Sequence, residues 1–138
     1  MARTVADVMT TGPATVDGGQ PVSVAAALMR DHDTGAIIVN DHGRMTGIVT
    51  DRDIAIRCVA DEKGPDTPVR EACSAGVEAV GPDTSIEQAV RLMREHAVRR
   101  LPVVEDGRAI GILSIGDLAM EQDPNSALAD ISAAQANR

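Results

Sequence analysis

Gly47-Ile48-Val49-Thr50-Asp51-Arg52-Asp53 decides the fold, because it returns 64 positions later as Gly111-Ile112-Leu113-Ser114-Ile115-Gly116-Asp117. Each copy reads as an apolar strand that ends in a hydroxyl residue and runs straight into a helix. The hydroxyl is expected at the helix N-terminus, with an aspartate three residues on. That arrangement puts a hydroxyl, a carboxylate and free backbone N–H groups on one concave edge, twice. A polar ligand carrying hydroxyls and an anionic group would suit such an edge.

Working outward, the repeat has no gap: residues 5–55 pair with 69–119. Identities include Val5/Val69, Val16/Val80, Leu28/Leu92, Met29/Met93, His32/His96, Val39/Val103, Gly43/Gly107 and Asp53/Asp117. A unit of about 50 residues is small for independent stability, so the copies are expected to pack on each other about a pseudo-two-fold axis. Thr4 to Met9 predicts a helical turn capped by Thr4 with Asp7, and Thr67-Pro68 opens its counterpart. Short strands follow at 14–16 and 78–80. The long helices are expected over 23–32 and 85–96, the second with Thr84 and Glu87 as a capping box. Apolar β-branched runs at 36–39 and 101–104 predict covered strands. Asp41-His42-Gly43 and Glu105-Asp106-Gly107 predict hairpin turns into strands 45–50 and 109–114, and the closing helices begin at Asp51 and Ile115. The fold class is mixed α/β (α+β), with strand, helix, strand, strand, helix in each copy. The expected division is copy one over 1–60, a polar linker over 61–67, copy two over 68–122 and a tail over 123–138 with a helix from Ser126 to Ala136.

Composition narrows the function. Formal net charge is −8 and there is no Phe, Tyr or Trp. A nucleic-acid binder normally carries a basic footprint and stacking aromatics, so none is expected here. Apolar content of 43% is globular, and no run approaches a membrane span. The N-terminus lacks a signal peptide's apolar segment, so a soluble cytoplasmic protein is expected, with no membrane partner. Two cysteines, Cys58 and Cys73, suggest buried apolar residues first and a disulfide second; no Cys-x-x-Cys spacing supports a metal. No nucleophile–base pair or phosphate-cleaving loop stands out, so no enzyme activity and no required cofactor are expected.

The element order, the Gly-apolar-apolar-[Ser/Thr]-x-x-Asp ending, the gapless duplication and the stretch from His96 to Val104 resemble a tandem pair of CBS domains, a Bateman module. The resemblance covers roughly residues 4–120, and the chain looks like a stand-alone bacterial pair. It implies a regulatory module that binds AMP, ADP, ATP, S-adenosylmethionine or NAD in two clefts between the copies. It also implies the site residues: Thr50 with Asp53, and Ser114 with Asp117, for ribose and phosphate. Thr15, Val16, Ala36 and Ile37 in one cleft, and Ala79, Val80, Leu101 and Pro102 in the other, are implied around adenine through backbone groups and apolar side chains. Arg99 and Arg100, where copy one has Gly35 and Ala36, are implied at ligand phosphates. Cys73 stands where the family has methionine, and Ile38 where it has proline.

The residues leave other readings open. Thr50-x-x-Asp53 and Ser114-x-x-Asp117 are also acceptable helix caps. Arg99 and Arg100 also fit a solvated pair of surface charges. His32 and His96 end both long helices, where a partial cation is favourable. The alternatives to ligand sensing are a structural or dimerisation protein with empty clefts, and a thiol sensor through Cys58 and Cys73. A homodimer through exposed helix faces and a protein target of unknown identity are expected.

Overall fold

The computed structural model describes residues 4–75 and 77–122. The helix expected over 126–136 lies outside them. The chain runs through a 3-10 turn (Val5–Asp7), β1 (Thr10–Thr11), β2 (Thr15–Asp17), α1 (Val22–His32), β3 (Ala36–Asp41), β4 (Arg44–Thr50) and α2 (Asp51–Ile54). A π-helical turn (Ala55–Val59) extends α2, and α3 (Val69–Ala72), β5 (Ser74–Ala75), α4 (Ile86–His96), β6 (Arg100–Glu105), β7 (Arg108–Ser114) and α5 (Ile115–Gln122) follow. The architecture is mixed α/β, with the strand–helix–hairpin–helix order in each copy.

Compactness divides the chain differently from the sequence repeat. One unit is Ala14–Val77; the other joins Met1–Pro13 to Glu78–Arg138. The opening segment of each copy is thus built into the unit that carries the other copy's motif. We call them the Thr50 unit and the Ser114 unit.

The Thr50 unit holds a four-stranded sheet in the order β2-β3-β4-β5. β2 runs parallel to β3, with α1 as the crossover, and β3, β4 and β5 are antiparallel neighbours. The β3–β4 turn places His42 at φ 52° and Gly43 at φ 78°. Two successive left-handed residues match the twist of the flanking strands. Val16, Ile37, Val39 and Val49 point to one face and meet Val22, Ala25 and Met29 of α1, with Cys58, Val69 and Ala72 completing the core. The stretch expected as a linker is tied down. Thr67 and Pro65 carbonyls accept from Val22 and Ser23 N–H at 2.8 and 3.1 Å, satisfying the first turn of α1, whose Pro21 cap has no donor or acceptor side chain. The Arg57 Nη1 donates to the Ala72 and Cys73 carbonyls at 3.2 and 3.1 Å and to Ser74 Oγ at 3.3 Å, fixing the end of α3 and the start of β5.

The Ser114 unit holds a three-stranded sheet, β1-β7-β6. Its core gathers Val5, Val80, Ala89, Met93, Leu101, Val103, Leu113 and Leu118. The strand expected at 78–80 contracts to a single parallel bridge between Val80 and Val103. The reason is local: Gly81 N–H donates to Thr84 Oγ1 at 3.1 Å, and Pro82 has no N–H to continue a ladder. The same bond corrects the expected capping box. Thr84 is engaged with Gly81, and Ser85 is the cap, accepting from Gln88 N–H at 3.1 Å. The Thr4–Asp7 cap forms as expected, with Thr4 N–H to Asp7 Oδ2 at 3.1 Å.

Both long helices end on a left-handed residue, Asp33 at φ 50° and Ala97 at φ 51°. Alanine pays for its Cβ in that conformation, and glycine does not. Ala97→Gly is therefore expected to stabilise the protein by about 0.5–1 kcal/mol, raising Tm by about 3 °C in a thermal melt. An unchanged or lower Tm would contradict this.

Candidate functional site

Each motif sits where a strand becomes a helix. Val49 and Leu113 are wholly buried, so the next residue on each strand points to the opposite face. Those residues are Thr50 and Ser114, both half-buried. Thr50 Oγ1 accepts from Asp53 N–H at 3.0 Å, and Asp53 Oδ2 accepts from Thr50 N–H at 2.9 Å. Ser114 Oγ accepts from Asp117 N–H at 3.1 Å, and Asp117 Oδ2 accepts from Ser114 N–H at 2.9 Å. The two copies agree to within a tenth of an ångström. These are complete capping boxes, so the cap reading describes a bond network that is present. It does not exhaust the carboxylates. An ionised carboxylate has room for about four donors, and one oxygen of each aspartate makes no hydrogen bond to a described residue.

The hairpin register brings in the next residues. Ala36 lies opposite Thr50 and Arg100 opposite Ser114. Asp51 N–H donates to the Gly35 carbonyl at 3.0 Å, and Ile115 N–H to the Arg99 carbonyl at 2.9 Å. Arg99 and Arg100 are therefore placed at the Ser114–Asp117 edge, and both are exposed. The Thr50 edge has Gly35 and Ala36 there. It also has a residue that sequence reasoning passed over, Asp51, whose carboxylate lies against Gly35: a Cβ on Gly35 would sit 3.1 Å from Asp51 Oδ2. The signal was available in the repeat, where Asp51 answers to Ile115.

The eight residues expected around adenine divide by face. Ala36 and Pro102 share the face of Thr50 and Ser114, because they lie an even number of residues along the paired strands. Thr15 is exposed on β2, and Ala79 is half-buried. Val16, Ile37, Val80 and Leu101 send their side chains into the cores behind the sheets. Those four side chains are not at the motif edges, and only their main chains remain for a ligand.

Cys58 is buried and Cys73 half-buried, and both are free thiols. Burial, and then the charge of Asp53, push the Cys73 thiol up; a backbone hydrogen bond, and then the charges of Arg57 and Arg70, oppose this. A raised thiol holds less thiolate and is a poor nucleophile. His96 closes α4 with Nε2 3.5 Å from Glu78 Oε1. Among the described residues no three His, Cys, Asp or Glu side chains gather in a way that could hold a metal ion. No described helix is long and apolar enough to cross a membrane. A depression of about 400 Å³ lies on the helix side of the Thr50 unit, lined by Val22, Ala26, Ala27, Ile54, Cys58 and Val59 among others. Neither Thr50 nor Asp53 lines it.

Comparison with known proteins agrees with this fold. The family model for the CBS domain matches twice, at residues 5–59 and 69–123. The chain is 44% identical over 132 residues to the CBS domain-containing protein YhcV of Bacillus subtilis (strain 168), spanning 93% of this chain and 94% of that one. It is similar to the crystal structure of Hypoxic Response Protein I with two coordinated zinc ions: 36% identity, TM-score 0.77, 84% of this chain and 96% of that one. A hexameric CBS-CP12 protein from bloom-forming cyanobacteria matches at 26% identity and TM-score 0.76, over 95% of this chain and 76% of that one.

Proposed function

The chain belongs to the CBS-domain family as a tandem pair, and on that footing we propose that it is a non-catalytic regulatory module binding an adenosine-containing ligand, such as AMP, ADP, ATP or S-adenosylmethionine, at its motif edges. The observation that carries the reading is the duplicated hydroxyl–carboxylate pair, held by its cap with one carboxylate oxygen still open on each half-buried aspartate. The cap fixes the carboxylate in advance, so a ribose diol meets an ordered acceptor and little rotamer entropy is lost on binding. Arg99 and Arg100 supply guanidinium groups beside Ser114, suited to phosphate.

The second reading is a structural or interaction protein whose edges stay empty. The completeness of both capping boxes favours it. Exposed apolar side chains on the helices, Val59 at 66% and Ile56 at 46%, supply a surface for the proposed homodimer in either case. The zinc of the Hypoxic Response Protein I structure is not carried over, because the described residues offer no cluster for it.

Isothermal titration calorimetry with AMP, ATP and S-adenosylmethionine tests the reading. At least one ligand is expected to bind with Kd on the order of 10 µM, and the heat is expected to vanish in the folded double variant Asp53→Ala/Asp117→Ala. No heat from any of the three with folded protein would sink the ligand reading and leave the interaction protein.

A further inference from the structure

The repeat makes the two edges comparable position by position, and their charges are opposed. At the Ser114 edge Arg99 and Arg100 stand with Asp117, while Ile115 and Gly116 are uncharged. At the Thr50 edge the same positions hold Gly35, Ala36, Asp53, Asp51 and Arg52. One edge is net positive by one charge and the other net negative by one. The difference is built into the packing. Gly35 has no side chain where copy two has Arg99, and the Asp51 carboxylate occupies that side, 3.1 Å from where a Cβ on residue 35 would be. Asp51 is held there, its Oδ1 accepting from Arg52 N–H at 2.8 Å. An arginine at 35 would displace that carboxylate, and isoleucine at 115 leaves Arg99 unopposed in the other unit.

Resting on the nucleotide reading above, we propose that the two edges select ligands of opposite charge. The Ser114 edge takes an adenosine ligand with a phosphate chain. The Thr50 edge takes an adenosine ligand whose 5′ substituent is uncharged or cationic, such as a sulfonium. Asp51 is the specificity residue: it meets the 5′ substituent, repels phosphate and attracts a cation. Each edge has its own motif aspartate, Asp53 or Asp117, so these set affinity for the nucleoside and not the choice of substituent. A single protein would then report two classes of adenosine metabolite without competition between them.

Calorimetry with ATP and with S-adenosylmethionine separates the edges. The variants are Asp53→Asn and Asp117→Asn, which keep a capping oxygen, with thermal melts to confirm folding. ATP heat is expected to fall about tenfold or more in affinity with Asp117→Asn, and S-adenosylmethionine heat to do so with Asp53→Asn. Asp51→Asn, isosteric and outside the cap, is expected to weaken S-adenosylmethionine about threefold to tenfold. Gly35→Arg with Asp51→Ile is expected to make the Thr50 edge bind ATP in the Asp117→Asn background. Loss of both ligands through the same aspartate, or no effect of Asp51→Asn on either, overturns the selectivity while leaving the nucleotide reading intact. No binding of either ligand to the folded parent protein overturns the nucleotide reading, and the selectivity with it.

Discussion

Gly47→Ala is expected to cost about 3 kcal/mol or more, the largest loss from adding one methyl group to either motif strand. Gly47 is buried in β4 opposite Ala75 of β5. A Cβ there would fall on the Ser74 carbonyl oxygen, with Cys73 Sγ 3.5 Å away. Main chain cannot swing aside as a side chain does, and this stretch is pinned by Arg57 through the Ala72 and Cys73 carbonyls at 3.2 and 3.1 Å. Either β4 bows or β5 leaves the sheet and draws α3 with it, exposing Val69 and Ala72, now 0% and 1% accessible. The repeat supplies its own control. A Cβ on Gly111 would meet Met9 Sδ at 2.6 Å and the Thr10 carbonyl at 2.9 Å. Met9 is flexible and can yield, and the main-chain overlap with the Thr10 carbonyl is much slighter than that with Ser74, so Gly111→Ala is expected to cost about half as much. Urea unfolding of both variants checks the order. A Gly47→Ala loss equal to or smaller than that of Gly111→Ala would show that β5 is loosely held.

What could be read from the residues was whatever is fixed within a few positions. A hydroxyl and an aspartate three apart at a strand–helix junction close on each other with no outside help, and both capping boxes form as the spacing implies. The long helices and hairpins were legible for the same reason. β1 and β5 were not, because two residues carry no period and their partners are distant: Thr10 lies opposite Ile112, and Ser74 opposite Ile48. The cap of α4 turned on a competition between neighbours, Thr84 and Ser85, decided by the demand of Gly81 N–H. At the motif edges, the repeat sets Arg99 and Arg100 against Gly35 and Ala36, and the hairpin register sets Arg100 opposite Ser114. Among the positions implied around adenine, alternation separates the side chains: Ala36 and Ile37, or Leu101 and Pro102, cannot face the same side of a strand. Asp51 is not legible as part of the shared motif, because copy two has Ile115 there and the contact with Gly35 comes from the fold.

Asp117→Ala is expected to weaken ligand binding at the Ser114 edge by about a hundredfold or more, because two charge-assisted hydrogen bonds to a ribose diol are worth about 1.5–3 kcal/mol each and the alanine makes neither. Its cost in stability is smaller. The variant loses the acceptor that takes Ser114 N–H at 2.9 Å, on a half-buried helix start, for about 1 kcal/mol. The two effects have different causes and separate with Asp117→Asn. An amide oxygen can still accept from Ser114 N–H, so about half the stability is retained. Binding falls about tenfold or more in that variant, since the charge is gone and the amide NH2 that replaces the open oxygen can only donate to a ribose hydroxyl. A residue that serves only as a cap predicts another pattern: Asp117→Ala lowers the melting temperature, Asp117→Asn largely restores it, and calorimetry with ATP shows the same affinity in all three proteins. Affinity and stability measured on the same three proteins decide between them. If binding tracks the charge while stability tracks the acceptor, the carboxylate has two separable roles: one oxygen holds the helix start and the other meets the ligand.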